Sequence, residues 1–111
     1  MSASTRRPPR IMATALAACA WFLVQPASAQ PGGLANGQRI YQSHCAGCHG
    51  VSGIAVMPQA PHFARGERLN QPDPVLVNSI KMGRAVMPAF IGILNDRDIL
   101  DVLSFLRTMR R

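Results

Sequence analysis

The sequence lacks a low-complexity tract, a strand pattern of any strength and a long uninterrupted apolar run. Its 111 residues suffice for one small domain, and the missing alternation of apolar and polar residues predicts an all-α fold. The longest apolar stretch, residues 11–24, is too short for an ordinary membrane-spanning helix. Only two cysteines follow it, Cys45 and Cys48, and a disulfide between them would close a small loop and stabilise little.

The first 29 residues have the order of a secretory signal. The apolar residues 11–24 are preceded by three arginines, Arg6, Arg7 and Arg10. A segment of small residues at positions 27–29 follows and has the pattern of a signal cleavage site. We therefore predict a signal peptide over residues 1–29, cleavage after Ala29 and export to the periplasm.

The sequence also offers an alternative in which the protein is attached to a membrane. Leu16–Cys19 resembles a bacterial lipobox, in which Cys19 would be acylated. The residues after Cys19 are unusually apolar for a lipoprotein tether, so we prefer cleavage after Ala29. We expect membrane association only if Cys19 is lipidated or the signal is not cleaved.

Removal of the signal leaves residues 30–111, which carry nine basic and five acidic side chains and a net charge of +4. Residues 30–35, with one proline and two glycines, are predicted to be a flexible lead-in. We assign residues 36–111 to a single domain. A chain of this size buries a limited core and commonly needs a further stabilising element, such as a covalently attached cofactor.

Two helices are predicted in the first two thirds of the domain. The first begins at Asn36, which can cap it, and its helical spacing of apolar residues continues to His44. The second is capped by Asp73, has Pro74 at its first position and ends at Gly83. Proline at the start and glycine just past the end is the asymmetry typical of helices.

A long loop and a last helix complete the domain. Residues 50–70 contain several glycines and prolines and no sustained period, which predicts a loop that packs on a cofactor rather than on itself. The last helix is predicted to start at Asn95 or Asp96, with Asp98 in the capping-box position.

The segment Cys45–His49 reads Cys-Ala-Gly-Cys-His. Cys-x-x-Cys-His is the attachment signature of c-type haem. The two thiols add to the two vinyl groups on the haem edge, and His49 then supplies an imidazole nitrogen to the iron. We therefore predict one covalently bound haem c on Cys45 and Cys48.

The same two cysteines suit three other kinds of site. A dithiol redox pair occurs in a βαβ context, which is absent here. A structural zinc needs four ligands, and the remaining ones would come from His44, His49 or His62. A disulfide would stabilise little. The adjacent histidine and the export signal favour haem.

A low-spin electron carrier needs a second iron ligand, and a thioether raises the reduction potential. The domain has four methionines, Met57, Met82, Met87 and Met109. Met82 and Met109 lie within predicted helices and are interpreted as core or surface residues. Met57 lies in the loop that should pack on the His49 side. Met87 follows a complete helix and can reach the opposite haem face, so we predict His49 and Met87 as the axial ligands.

An iron-bound imidazole normally donates its other N–H to a fixed acceptor. The carbonyl of Pro61, in the loop after His49, is our predicted acceptor. The alternative is that Pro61 merely shapes the loop.

Taken together, these motifs resemble class I cytochromes c of the small bacterial type. The resemblance covers nearly all of residues 36–107 and rests on Gly37, Tyr41, the segments 45–50 and 60–63, Ile80, Gly83, and the segments 87–90, 94–99 and 105–106. It implies three to four helices wrapped around one covalently bound haem. It further implies that the first and last helices cross at Gly37, with Tyr41 and Phe105 packed nearby.

Two positions depart from the family pattern. Arg65 replaces a small residue after the proline-containing loop, and we expect it to alter the surface near a haem propionate. Phe105 replaces a tyrosine and removes a hydroxyl group. Neither departure touches the predicted haem attachment.

Two protein ligands leave no open site on the iron, so we predict a one-electron carrier and not an enzyme. Its partners are expected to be redox proteins with acidic surfaces, and no nucleic acid is expected. The predicted contact surface consists of apolar residues (Val51, Ile54, Val86 and Ala89) ringed by basic ones (Arg65, Arg68, Lys81 and Arg84). The alternatives are a cytochrome subunit of a larger periplasmic dehydrogenase or oxidase, and a haem sensor or peroxidase with an open distal site.

Overall fold

The computed structural model describes residues 32–111, which form four α-helices. These are α1 (Leu34–His44), α2 (Ala46–His49), α3 (Asp73–Met82) and α4 (Asp96–Thr108). A single 3₁₀ turn, Phe63–Arg65, interrupts the long loop between α2 and α3. Residues 32–111 contain no strand beyond one isolated antiparallel bridge between Arg84 and Met87. The all-α prediction is confirmed.

The predicted signal peptide, with Cys19 and the cleavage site after Ala29, lies outside the described residues. Within the described part of the chain, no helix combines the length and the apolar character that crossing a membrane requires.

The structure corrects two helix starts. α1 begins at Leu34, so Leu34 and Ala35 of the predicted lead-in are helical, and Gly33 occupies the N-cap. Asn36 is therefore inside the helix and does not cap it. α3 has Pro72 at its N-cap, and Asp73 is its first residue instead of its cap. The predicted end at Gly83 is confirmed.

The start of α4 follows the sequence prediction closely. The Asn95 side chain accepts a hydrogen bond from the Asp98 backbone N–H at 2.9 Å, and the Asp98 carboxylate accepts one from the Asn95 N–H at 3.3 Å. This reciprocal capping box satisfies two N–H groups that a helix start otherwise leaves unpaired.

The core lies where α1 crosses α4. A Cβ on Gly37 would collide with the Asp101 carbonyl, so the two backbones touch directly at the crossing. Tyr41, Ile99 and Leu103 are fully buried beside this contact. The rings of Tyr41 and Phe105 pack at 5.5 Å between centroids. The crossing that the resemblance implies is thus present, and it leaves the apolar sides of α1 and α4 facing the loop that follows α2.

Asn36 has a different role from the predicted one. Its side-chain amide donates to the carboxylates of Asp101 at 2.9 Å and Asp98 at 3.1 Å. Asp101 is buried, and a buried carboxylate needs such a donor to offset the loss of water. Asn36 therefore joins α1 to α4 and satisfies a buried charge.

Candidate cofactor site

One cavity of about 450 Å³ lies between the helices and the two long loops. Its volume falls in the range of about 300–1,000 Å³ that is typical of small-molecule and cofactor sites. All five residues that the sequence analysis singles out line it, namely Cys45, Cys48, His49, Pro61 and Met87. Much of the remaining wall is apolar and includes Leu69, Leu76, Phe90, Ile99, Val102, Leu103 and Leu106.

Local backbone geometry presents the two cysteines on one side of this cavity. Cys45 ends α1, and the single turn α2 follows at once. The His49 and Cys48 amides donate to the Cys45 carbonyl at 3.0 and 3.2 Å. These bonds close one helical turn, so the two thiols and the imidazole all border the same space. Both cysteines are free thiols and half-buried, and no disulfide joins them.

The environment of the thiols also argues against a dithiol redox site and a zinc site. Burial raises the pKa of Cys45 to about 11, and the neighbouring Cys48 adds to this rise. Reactive thiols of dithiol redox sites have a lowered pKa, so Cys45 lacks the property of such a nucleophile. Among residues 32–111, no three histidine, cysteine or acidic side chains group as metal ligands. The zinc interpretation therefore has no ligand set in this part of the chain.

His49 is held firmly in the wall of the cavity. It is only 8 % exposed and stacks on Phe63 with 4.6 Å between the ring centroids. Burial lowers the pKa of His49, and a contact with the Pro61 carbonyl offsets part of this lowering. The imidazole is thus kept neutral, which is the form that binds metals.

The Nδ1 atom of His49 is buried and, within the described residues, has no hydrogen bond of regular geometry. The Pro61 carbonyl therefore lies near the ring without forming a hydrogen bond of regular geometry with it. With Nδ1 enclosed by protein, Nε2 is the ring nitrogen left for a ligand in the cavity. An imidazole oriented in this way fits an iron ligand.

Of the four methionines in residues 32–111, Met57 and Met87 line the cavity. Met82 is 60 % exposed on α3, and Met109 is buried in the core. The Met57 amide donates to the Cys48 carbonyl at 3.0 Å, which ties Met57 to the turn that carries His49. Met87 instead lies in a tight turn after α3 and is half-buried.

Several polar residues at the cavity were missed by the sequence analysis. Gln59 and Gln71 line it, yet they lie in irregular segments where no spacing distinguishes them from other loop residues. Arg65, predicted to alter the surface near a propionate, does not line the cavity and lies 3.8 Å from the Glu67 carboxylate instead. Arg68 and Arg84 line it. Of the four basic residues predicted to ring the contact surface, Arg68 and Arg84 therefore border the cavity directly.

A haem c fits these residues in three respects. Two adjacent thiols, a neutral imidazole with one enclosed nitrogen and a thioether border one cavity. Apolar side chains from α1, α3 and α4 form the walls that a flat macrocycle needs. The long loop, which has little regular structure of its own, lies over the same space.

The fold and this cavity define a c-type cytochrome, a protein that carries covalently bound haem c. Residues 32–106 match the family described as "Cytochrome C oxidase, cbb3-type, subunit III", and the chain belongs to this family. It is a class I mono-haem cytochrome that carries electrons and is not an enzyme.

Relatives and solved structures agree with this assignment. The chain is 31 % identical over 100 residues to cytochrome c6 of Thermostichus vulcanus, covering 86 % of this chain and 88 % of the relative. It is 34 % identical over 76 residues to cytochrome c6 of Parathermosynechococcus lividus, covering 65 % of this chain and 85 % of the relative.

Two solved structures share the fold. The c-type cytochrome KustC0563 superposes with a TM-score of 0.61 at 25 % identity, covering 68 % of this chain and 98 % of the other. Cytochrome c6 of the diatom Phaeodactylum tricornutum superposes with a TM-score of 0.58 at 24 % identity, and the match covers 69 % of this chain and 93 % of the other. The predicted cytochrome c fold is confirmed.

Proposed function

We propose that this cytochrome is an exported, periplasmic one-electron carrier whose haem is bonded to Cys45 and Cys48 and whose iron is ligated by His49 and Met87. The observation that carries the proposal is that these four side chains line one apolar cavity. Bound haem c supplies the one-electron redox chemistry. We further propose residues 1–29 as the cleaved signal, residues 30–35 as the lead-in and residues 36–111 as the cytochrome domain.

The protein contributes orientation on the histidine side. Phe63 stacks on His49, and the Pro61 carbonyl lies close enough to the ring to raise its pKa. We assign Pro61 as the acceptor that sets the His49 tautomer, because a fixed tautomer leaves Nε2 unprotonated for the iron. The contact would have to become a regular hydrogen bond in the loaded protein to fill this role.

The choice of Met87 over Met57 is supported by what holds each residue. Met57 is tied by its amide to Cys48, on the same short turn as His49. Met87 is tied to the segment that follows α3, so it approaches from a different wall. A six-coordinate iron needs its two protein ligands on opposite faces, and only a residue from another wall meets this requirement.

Charge at the cavity supports an acidic redox partner. Of the predicted basic residues, Lys81 is paired with Asp96 at 2.7 Å and Arg65 lies near Glu67. Arg68 and Arg84 line the cavity and have no acidic partner among residues 32–111. These two arginines therefore place positive charge at the wall of the cavity, where Glu67 is the acidic residue that also lines it.

The apolar part of the predicted contact surface is also supported. Val51, Ile54, Val86 and Ala89 are all exposed, and Val86 borders the cavity at 77 % exposure. Exposed apolar side chains are available to contact a partner protein. We propose this surface as the site of electron exchange. The comparisons do not favour the alternative of a subunit in a larger periplasmic complex.

The intact mass of the purified mature protein tests attachment and export together. We expect the mass of residues 30–111 plus one haem, with no lipid. A mass that corresponds to a chain beginning at an acylated Cys19 would show that the protein is attached to a membrane, and it would contradict the proposed free periplasmic carrier. Substitution of both Cys45 and Cys48 by alanine should yield little folded holoprotein, because cofactor binding and folding are coupled.

Substitution of the methionines tests the axial ligand. Met87→Ala should abolish the sulfur-to-iron charge-transfer absorption of the ferric protein and allow carbon monoxide to bind the ferrous form. Met82→Ala is the matched control, since Met82 is exposed on α3 and should leave both properties unchanged. Survival of the band in Met87→Ala with its loss in Met57→Ala would assign the ligand to Met57. Carbon monoxide binding by the unchanged protein would indicate an open distal site and a sensor or peroxidase.

A further inference from the structure

Gly83, at the end of α3, has no space for a side chain. It has a φ of +73°, in the left-handed region that favours glycine. A Cβ at this position would lie 2.6 Å from the Met87 carbonyl oxygen, 2.8 Å from the Ala89 amide nitrogen and 2.9 Å from the Pro88 carbonyl carbon. All three atoms are backbone, so no side-chain rotation can relieve the collision. The segment 87–89 is therefore packed directly on the Cα of Gly83.

Hydrogen bonds close this segment into a tight turn. The Arg84 amide donates to the Met87 carbonyl at 3.1 Å, and the Met87 amide donates to the Arg84 carbonyl at 2.8 Å. Ala85, within the turn, has a φ of +50°, which is uncommon for a residue other than glycine. Surrounding structure must hold such a residue in place.

The far side of the turn is also tied to α3. The Phe90 amide donates to the carbonyls of Ile80 and Lys81 at 3.2 and 3.1 Å, and the Ile91 amide donates to Lys81 at 3.0 Å. The backbone of Met87 is thus held by Arg84 before it and by the last turn of α3 after it. Gly83 lies between the end of α3 and Arg84, so it connects the two parts of the backbone that hold Met87.

We propose that Gly83 is a positioning residue for Met87: the bare Cα at the end of α3 lets the 87–89 backbone pack against it, and this contact sets where the Met87 thioether stands in the cavity. The proposal rests on the assignment of Met87 as the iron ligand. Gly83 does not line the cavity, and in this proposal it acts through the backbone of the ligand segment.

Gly83→Ala tests the proposal, with Gly92→Ala as its matched control. Gly92 also has a left-handed φ, of +79°, but a Cβ there would meet nothing within 4 Å. Both variants place a Cβ on a residue with a positive φ, and Gly83→Ala alone adds the collision. Loss of a group that orients a metal ligand typically weakens metal binding by about 10–100-fold. We therefore expect a weakened ferric charge-transfer band in Gly83→Ala and at least about tenfold tighter carbon monoxide binding to its ferrous form.

Two results would overturn the proposal. One is a Gly83→Ala protein whose band and carbon monoxide affinity match those of the unchanged protein. The other is an equal loss in Gly92→Ala, which would assign the effect to backbone conformation in general. If the band is lost in Met87→Ala and retained in Gly83→Ala, Met87 is the ligand but Gly83 does not position it. If the band is retained in Met87→Ala, Met87 is not the ligand and the proposed function fails at that residue.

Hydrogen exchange provides a measurement that does not need the Gly83 variant to fold. If packing on Gly83 builds the turn, the amides at positions 84 and 87 should stay protected in the Met87→Ala holoprotein, where the sulfur is gone. We expect their exchange rates to remain within about tenfold of those in the unchanged protein. Exchange at the rate of an unprotected chain would show that the iron–sulfur bond makes the turn, and it would overturn the proposal.

Discussion

Gly37 and Asp101 are in direct backbone contact where α1 crosses α4, with the Asp101 carbonyl occupying the space that a Cβ on Gly37 would need. The contact joins the two ends of the domain through residues 64 positions apart in the chain. It also places the buried Tyr41 against α4, beside the cavity. The crossing therefore supports the site as well as the core.

Gly37→Ala should destabilise the protein by about 3 kcal/mol or more, because the added carbon collides with backbone that cannot rotate away. Guanidinium unfolding of the holoprotein measures the change. Gly47→Ala is the control, since Gly47 is also helical and a Cβ there meets nothing. The control should be neutral or gain up to about 1 kcal/mol from helix propensity. Equal effects at both glycines would contradict the close crossing.

Tyr41→Phe should cost about 0.5–1.5 kcal/mol, because it removes one of the two hydrogen bonds that the Gly50 carbonyl accepts and leaves the one from the Gly53 amide at 3.2 Å. The Tyr41 hydroxyl donates to the Gly50 carbonyl at 2.6 Å, and this bond links α1 to the residue that follows α2. Thermal or guanidinium unfolding at neutral pH measures the loss. A variant as stable as the unchanged protein would show that the bond contributes nothing net.

Stability should also fall between about pH 10 and pH 12 in the unchanged protein. Burial raises the pKa of Tyr41 from its ordinary value of 10.0 to about 12. In that window the unfolded chain releases a proton that the folded protein keeps, so the contribution is complete below pH 10 and lost by about pH 12. Tyr41 is the single tyrosine of the sequence, so Tyr41→Phe should remove this part of the pH dependence. An unchanged pH profile in the variant would assign the fall to other groups.

Replacing Arg68 and Arg84 together by glutamine should slow oxidation by a small anionic oxidant about two- to tenfold at low ionic strength. Both arginines line the cavity, so their charge acts at the proposed site of electron exchange. Stopped-flow rates measure the change, and the difference should vanish near 1 M salt, where the screening length is about 3 Å. Arg107→Gln with Arg111→Gln makes the same change in net charge away from the cavity and should have little effect. Equal slowing in the two double variants would show that the rate depends on the net charge of the protein and not on the position of these arginines.

His62→Phe should raise the exchange rate of the Ala55 amide and cost about 1 kcal/mol. The Ala55 amide donates to Nδ1 of His62 at 3.0 Å, which joins two parts of the loop beside Pro61. Hydrogen exchange measures the first effect and denaturant unfolding the second. His44→Phe is the control, because His44 is exposed and packs edge-on against Phe90. Unchanged protection of Ala55 in His62→Phe would show that the loop is held by other contacts.

Local patterns were read correctly where neighbouring residues decide the structure. The capping box of Asn95 and Asp98 and the helix stop at Gly83 depend on residues within one or two turns of each other. The prediction that Asn36 and Asp73 cap their helices is wrong, because residues distant in the chain bind both side chains. Both are good capping residues, but their side chains are engaged by α4, through Asp101 and Arg107 respectively. No pattern in the local sequence reports such partners.

Covalent haem attachment was predictable from the sequence alone, because two thiols and a histidine within five consecutive residues match the attachment signature of c-type haem. Which distant residues line the same cavity depended on the folded arrangement of the chain. That arrangement placed Met57 and Met87 in the wall and left Met82 and Met109 away from it. The physical reason is that attachment depends on covalent spacing along the chain, whereas the rest of the site depends on how α3, α4 and a long loop pack around it.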